Sequence, residues 1–165
     1  MQSFETTRRV PHSAENMFDL VADVEKYPQF LPLCTGLTVR SRQEDDAGRT
    51  VLVANMSVGY KAIRERFTSR VTLDRANLRI LVEYVDGPFS HLQNTWTFRP
   101  APEQNGRGAC EVGFHIEYEF RSRMLGLVMG RAFDAAFRRF ADAFERRADE
   151  VYGAGAGQVS SGASS

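Results

Sequence analysis

The hydrophobic pattern of this chain changes period near Arg121. Before it, Cys110, Val112, Phe114, Ile116, Tyr118 and Phe120 alternate with Glu111, Gly113, His115, Glu117 and Glu119. That is a strand with one dry face and one wet face. After it, over 123–152, proline is absent and Leu125, Met129, Phe133, Ala136, Phe137, Phe140, Phe144 and Val151 recur at three- and four-residue steps. This stripe predicts one amphipathic helix, which at ~1.5 Å rise per residue reaches roughly 45 Å.

Upstream, Phe67, Ser69, Val71 and Leu73 alternate with Arg66, Thr68, Arg70 and Thr72. Strands are predicted at 4–10, 37–43, 50–60, 63–73, 78–85, 92–99 and 109–120. The turns fall at 45–48, 74–77, 86–88 and 100–108, where Asp, Asn, Gly and Pro cluster. After the first strand, Ser13 can cap a short helix that buries Met17, Phe18, Val21 and Val24. Tyr27-Pro28 should end it, because the residue before a proline is pushed out of helical geometry. Segment 29–34, bounded by prolines and rich in apolar residues, is too short to pack as an element and should line or plug something.

The order strand, short helices, six strands, long helix is α+β. A curved antiparallel sheet of about seven strands wrapped around a long C-terminal helix is the helix-grip, START-like arrangement. A helix laid across a bent sheet leaves an apolar hollow between them. Residues 1–153 are expected to form this domain, which in its arrangement resembles the lipid-binding START domains. The Gly/Ala/Ser tail, 154–165, is expected to be disordered, since it cannot bury enough surface to offset its ordering entropy.

At 165 residues and 42% hydrophobic content the chain can build a sizeable core. Lysine plus arginine and aspartate plus glutamate each number 21, so net charge gives no pull toward DNA. Cys34 and Cys110 are far apart and lack metal-site spacing. There is no signal-peptide pattern and no membrane-length apolar run, so a cytoplasmic protein, peripheral on the inner membrane at most, is expected. The histidines His12, His91 and His115 are scattered, and no HExxH, GxSxG, P-loop or dinucleotide motif occurs. No catalytic residue, metal site or cofactor is therefore expected, and a cyclase-type enzyme is the remote alternative.

Three stretches carry a family resemblance: Tyr27-Pro28-Gln29-Phe30-Leu31-Pro32-Leu33-Cys34, Gly87-Pro88-Phe89 leading to Leu92 and Trp96-Thr97-Phe98, and Ala143-Phe144-Glu145-Arg146-Arg147-Ala148 with Val151-Tyr152-Gly153. In these the chain resembles the coenzyme Q-binding START-domain proteins, which include the bacterial ribosome-association toxin proteins. The resemblance implies that ubiquinone or a similar polyprenyl lipid is bound in support of respiration. In some bacterial relatives it implies instead a toxin-like block of ribosomal subunit association. The targeting extension usual in the mitochondrial branch is missing, which fits the bacterial branch better.

Candidate ligand-binding residues follow from pattern and resemblance together. Tyr27, Phe30, Leu31 and Leu33 sit on the proline-stiffened segment as a gate, a plug or a membrane contact, with Phe89 on the same rim. Met56, Tyr60, Phe67, Trp96 and Phe98 come from strands, and Met129, Phe133, Phe137 and Phe140 from the helix. Periodicity alone favours an ordinary core, and it is the resemblance that brings a lipid cavity level with it. Tyr60, Trp96 or Asn94 could orient a quinone head through a donor. Gly126 and Gly130 mean either close helix packing or a widened mouth. Arg40, Arg42, Arg64, Arg66 and Arg70 form a possible basic row on the strands. The helix arginines interleave with acids at the spacing of ordinary ion pairs, as Asp134 with Arg138 and Asp142 with Arg146.

Overall fold

In the computed structural model, residues 1–104 and 106–153 are described; the expected tail at 154–165 lies outside them. The elements are β1 (Gln2–Val10), α1 (Ala14–Ala22), a 3-10 segment (Val24–Gln29), β2 (Cys34–Glu44), β3 (Thr50–Tyr60), β4 (Ile63–Asp74), β5 (Arg79–Asp86), β6 (Phe89–Gln104), β7 (Arg107–Phe120) and α2 (Arg123–Tyr152). The strands form one antiparallel sheet in the order β1-β7-β6-β5-β4-β3-β2. This is the helix-grip architecture: a curved sheet holding a long helix.

Local chemistry sets the element ends. The Ser13 hydroxyl accepts from the Asn16 N–H at 3.1 Å and starts α1, and the Ser122 hydroxyl accepts from the Leu125 N–H at 3.2 Å and starts α2. α1 stops at Ala22, earlier than Tyr27-Pro28. Val24 is buried from the following 3-10 segment, whose tighter, shorter turn accommodates Pro28. β6 starts at Phe89 and runs on through Pro100 and Pro102, where a turn was expected. The pairing of β5 with β6 ends at Arg79 with Thr97, so beyond it one edge of β6 has no partner strand and tolerates a missing N–H.

α2 packs on β7, β1 and α1. Its buried face runs Met129, Phe133, Ala136, Phe137, Ala141, Phe144, Ala148. Val151, expected in the stripe, is 50% exposed, because the face continues from Ala148 to Tyr152 and leaves it about one step of 100° away. Tyr152 donates from its hydroxyl to the Asn16 carbonyl at 3.1 Å, and buried His12 meets Asp149 at 2.7 Å. Arg8 of β1 reaches Asp142 and Glu145 at 3.4 and 3.1 Å. These contacts fix the C-terminal half of α2 against β1 and α1. The hollow opens on the helix's other flank, toward β3, β4 and β5.

The expected helix pairs form, Asp134 with Arg138 at 3.0 Å and Asp142 with Arg146 at 2.9 Å. The strand arginines do not make one row. A bulge between Val39 and Ser41 places Arg42 opposite buried Leu52, which turns it off the face carrying Arg64, Arg66 and Arg70.

Candidate functional site

The phenylalanines of α2 meet the inward side chains of β7, Tyr118 with Phe137 at 5.0 Å and Phe120 with Phe133 at 5.3 Å, but leave a gap toward β3, β4 and β5. In that gap lies a narrow cavity of about 80 Å³. From α2 it is lined by Phe133, Ala136, Phe137, Phe140 and Phe144, and from β6 and β7 by Leu92, Asn94, Trp96 and Ile116. β2 to β5 contribute Leu37, Ala54, Met56, Val58, Phe67, Ser69, Val71 and Val82. One end is closed by Val24, Tyr27, Leu31, Pro32 and Leu33. Trp96 and Phe144 stand at 5.0 Å between ring centroids and Tyr27 and Phe144 at 5.3 Å, both edge to face. The half-exposed members Pro32, Leu33, Leu37, Met56 and Phe140 mark the side on which the hollow meets solvent.

Of the residues expected to bind ligand, Tyr27, Leu31, Leu33, Met56, Phe67, Trp96, Phe133, Phe137 and Phe140 border this hollow. Phe30, Tyr60, Phe89, Phe98 and Met129 do not. Phe30 lies outside Tyr27, stacked edge-on with Phe144 at 5.1 Å and covered by the Arg147 guanidinium at 5.2 Å. Tyr60 ends β3 beside the hairpin, near the Lys61 ammonium. Phe98 packs on Phe18 of α1 at 5.9 Å, and Met129 is fully buried. Phe89 is no rim residue: it is fully buried among Phe67, Tyr84, Phe120 and Phe133 at 4.9–5.8 Å and plugs that end of the fold.

Segment 27–34 is likewise more buried than an exposed gate. Leu31 and Cys34 are in the core, and the Tyr27 hydroxyl donates to the Val21 carbonyl. Leu33 holds a left-handed φ of 68°, unusual for a leucine, while its carbonyl accepts from the Gly59 N–H at 3.0 Å. Sequence reasoning missed Val24, Leu37, Val58, Val82, Leu92, Ile116, Ala136 and Phe144 as lining. Val24, Ile116, Ala136 and Phe144 were legible as inward-facing from their periodicity, but facing inward does not reveal which neighbours stop short of contact.

The chemistry of the hollow is nearly all apolar. Its buried polar side chains are Ser69 and Asn94, and the Asn94 amide donates to the His115 carbonyl at 2.9 Å. Burial pushes the Cys34 thiol up to about 11 and lifts the Tyr27 phenol above its ordinary value, so both are neutral near pH 7. Tyr60 does not line the hollow, whereas Asn94, Trp96 and Ser69 do. The cavity also falls short of the roughly 300 Å³ of ordinary small-molecule sites, so the hollow expected from sequence is present in a contracted form. No helix among the described residues is long and apolar enough to cross a membrane.

A bent antiparallel sheet, a long helix and an apolar hollow between them define a START-like ligand-binding fold. The chain belongs to the family described as polyketide cyclase / dehydrase and lipid transport, which it matches over residues 10–145. It is 39% identical over 154 residues to the ribosome association toxin RatA of Escherichia coli, covering 93% of this chain and 91% of that one. It is 31% identical over 143 residues to the mitochondrial coenzyme Q-binding protein COQ10 homolog B of Xenopus laevis, covering 86% of this chain and 55% of that one. The solution structure of an 18 kDa protein from Caulobacter crescentus superposes with a TM-score of 0.73 at 33% identity, covering 93% and 99% of the two chains.

Proposed function

We propose that the hollow binds ubiquinone or a similar polyprenyl lipid and that the protein carries or shields it in support of respiratory electron transport, without catalysing a reaction. The observation that carries this reading is the lining: a continuous apolar wall in which Ser69 and Asn94 are the buried polar side chains. Lipid transport in the family's description and coenzyme Q binding in one relative's name support it. Affinity comes from the tail, at about 0.8 kcal/mol per buried methylene. The Ser69 hydroxyl and the second Asn94 amide hydrogen donate to the carbonyl oxygens of the head.

Because the hollow is contracted, loading requires the 27–33 segment and α2 to part. The left-handed Leu33 and the half-exposed Pro32 and Phe140 support a yielding seam there. The protein works in the cytoplasm and meets its lipid at the inner membrane. Protein purified from a membrane-containing lysate is expected to yield quinone on organic extraction and mass spectrometry. Ala136→Phe, which fills the hollow from α2, is expected to abolish the yield while the fold persists. Wild-type protein that neither retains nor takes up any quinone overturns the reading.

A second reading is association with the ribosome, as the name of the Escherichia coli relative states for that protein. It is favoured by Arg64, Arg66 and Arg70, exposed along the outer face of β4 and without an ion pair among the described residues. Phosphate contacts from such a row give binding that weakens steeply with salt. Co-sedimentation with ribosomal subunits, lost on raising salt and in a triple arginine-to-glutamate variant, is the expected result; indifference to both rejects it.

A further inference from the structure

The first turns of α2 carry a second feature, outside the hollow. Met124, Leu127 and Val128 are 73%, 79% and 48% exposed there, with no element among the described residues covering them. Arg121, Arg123 and Arg131 surround them, exposed and without an ion pair among the described residues. Beside this patch a surface groove of about 470 Å³ runs between α2 and the paired ends of β1 and β7.

Gly126 and Gly130 shape that groove. A Cβ added at Gly130 would meet nothing within 4 Å, and one at Gly126 would touch Phe120 at an ordinary 3.7 Å. Close packing therefore asks for neither glycine, although both weaken the helix relative to alanine. What they do is leave the groove unfilled. In its wall lies Tyr118, 1% exposed, whose hydroxyl has no hydrogen-bond partner among the described residues. A buried donor without an acceptor is unfavourable until something supplies the acceptor. The carboxylates nearby are already engaged: Asp134 pairs with Arg138 at 3.0 Å, and Glu119 faces the Met1 ammonium at 3.8 Å.

We propose that this end of α2 docks the protein on an anionic phospholipid bilayer, with the groove seating one lipid head. Met124, Leu127 and Val128 enter the acyl boundary while Arg121, Arg123 and Arg131 meet phosphates. An oxygen of the seated head accepts from the Tyr118 hydroxyl. Aliphatic side chains ringed by arginines match the layered chemistry of a membrane interface, apolar within and negative at the surface. The surface is separate from the mouth of the hollow, whose half-exposed residues lie on segment 32–37, on β3 and at Phe140, so it stands whether or not the hollow holds a quinone.

The test is flotation of the full chain with vesicles of phosphatidylcholine alone and of phosphatidylcholine mixed with phosphatidylglycerol. Wild type is expected to float with the mixed vesicles and not with the neutral ones, and free glycerol phosphate should fail to displace it. The double variant Met124→Glu with Leu127→Glu, and separately Arg123→Glu, should lower binding about tenfold or more with unchanged thermal melting. Gly130→Leu should fill the groove, melt no lower, and bind less. Tyr118→Phe should reduce the preference for the anionic vesicles. Equal flotation on both vesicle types, full displacement by glycerol phosphate, no flotation at all, or wild-type flotation of the double variant overturns the proposal.

Discussion

The two halves of α2 use the same kinds of residue to opposite ends. From the third turn onward, Phe133, Phe137, Phe140 and Phe144 are turned inward, and the space they leave against β3, β4 and β5 is internal. In the first two turns, Met124, Leu127 and Val128 are turned outward, while the interior at that end is filled by Phe89, stacked on half-buried Phe120 at 4.9 Å. One half keeps a gap inside a closed surface; the other keeps a notch outside a filled core. Amphipathic periodicity describes both equally well. What separates them is the partner each meets, sheet and α1 for one and, among the described residues, none for the outward side chains of the other.

The sharpest way to break this contrast is Phe144→Ala. Phe144 is 1% exposed and touches Tyr27, Phe30 and Trp96, so thermal unfolding should report a loss of about 3–5 kcal/mol. Next is Gly87→Ala at the filled end. Gly87 has a φ of 143°, and an added Cβ would fall 2.5 Å from the Phe67 Cβ. Chemical denaturation should show about 1–3 kcal/mol lost. Gly130→Ala should go the other way, gaining up to ~1 kcal/mol of stability, because the methyl enters open space and alanine favours the helix. Leu127→Ala should stay within about 0.5 kcal/mol of wild type. A melting-temperature drop for Leu127→Ala matching that of Phe144→Ala would erase the distinction between the halves.

Much of the fold was legible because it rests on local repetition. The alternation of 110–120 and of 66–73, the three-and-four stripe of the helix, and the cap Ser13 are each written within a few neighbours. So were the Asp134–Arg138 and Asp142–Arg146 pairs, whose partners lie one turn apart. The features that depend on distant neighbours were not. Phe89 reads as a turn residue until β4, β7 and α2 close around it. Pro100 and Pro102 read as a turn until the end of β5 leaves the edge of β6 without a neighbour. The bulge beside Arg40 reverses the face of Arg42, and no residue type there announces it. For the site, sequence identifies which residues face inward, and segment 27–34 as part of the enclosure, but whether opposing residues touch is a matter of fractions of an ångström between elements far apart in the chain.

That last point makes the contracted hollow the hinge of the functional account. Its lining contains the chain's single tryptophan, Trp96, so one fluorophore reports the site without labelling. Titrating the protein with a short-tailed ubiquinone, a strong quencher of indole emission, measures occupancy directly. Saturable quenching at one quinone per chain, removed by Ala136→Phe, is the expected result. Quenching that rises linearly without saturation, or that survives in the filled variant unchanged, would contradict it.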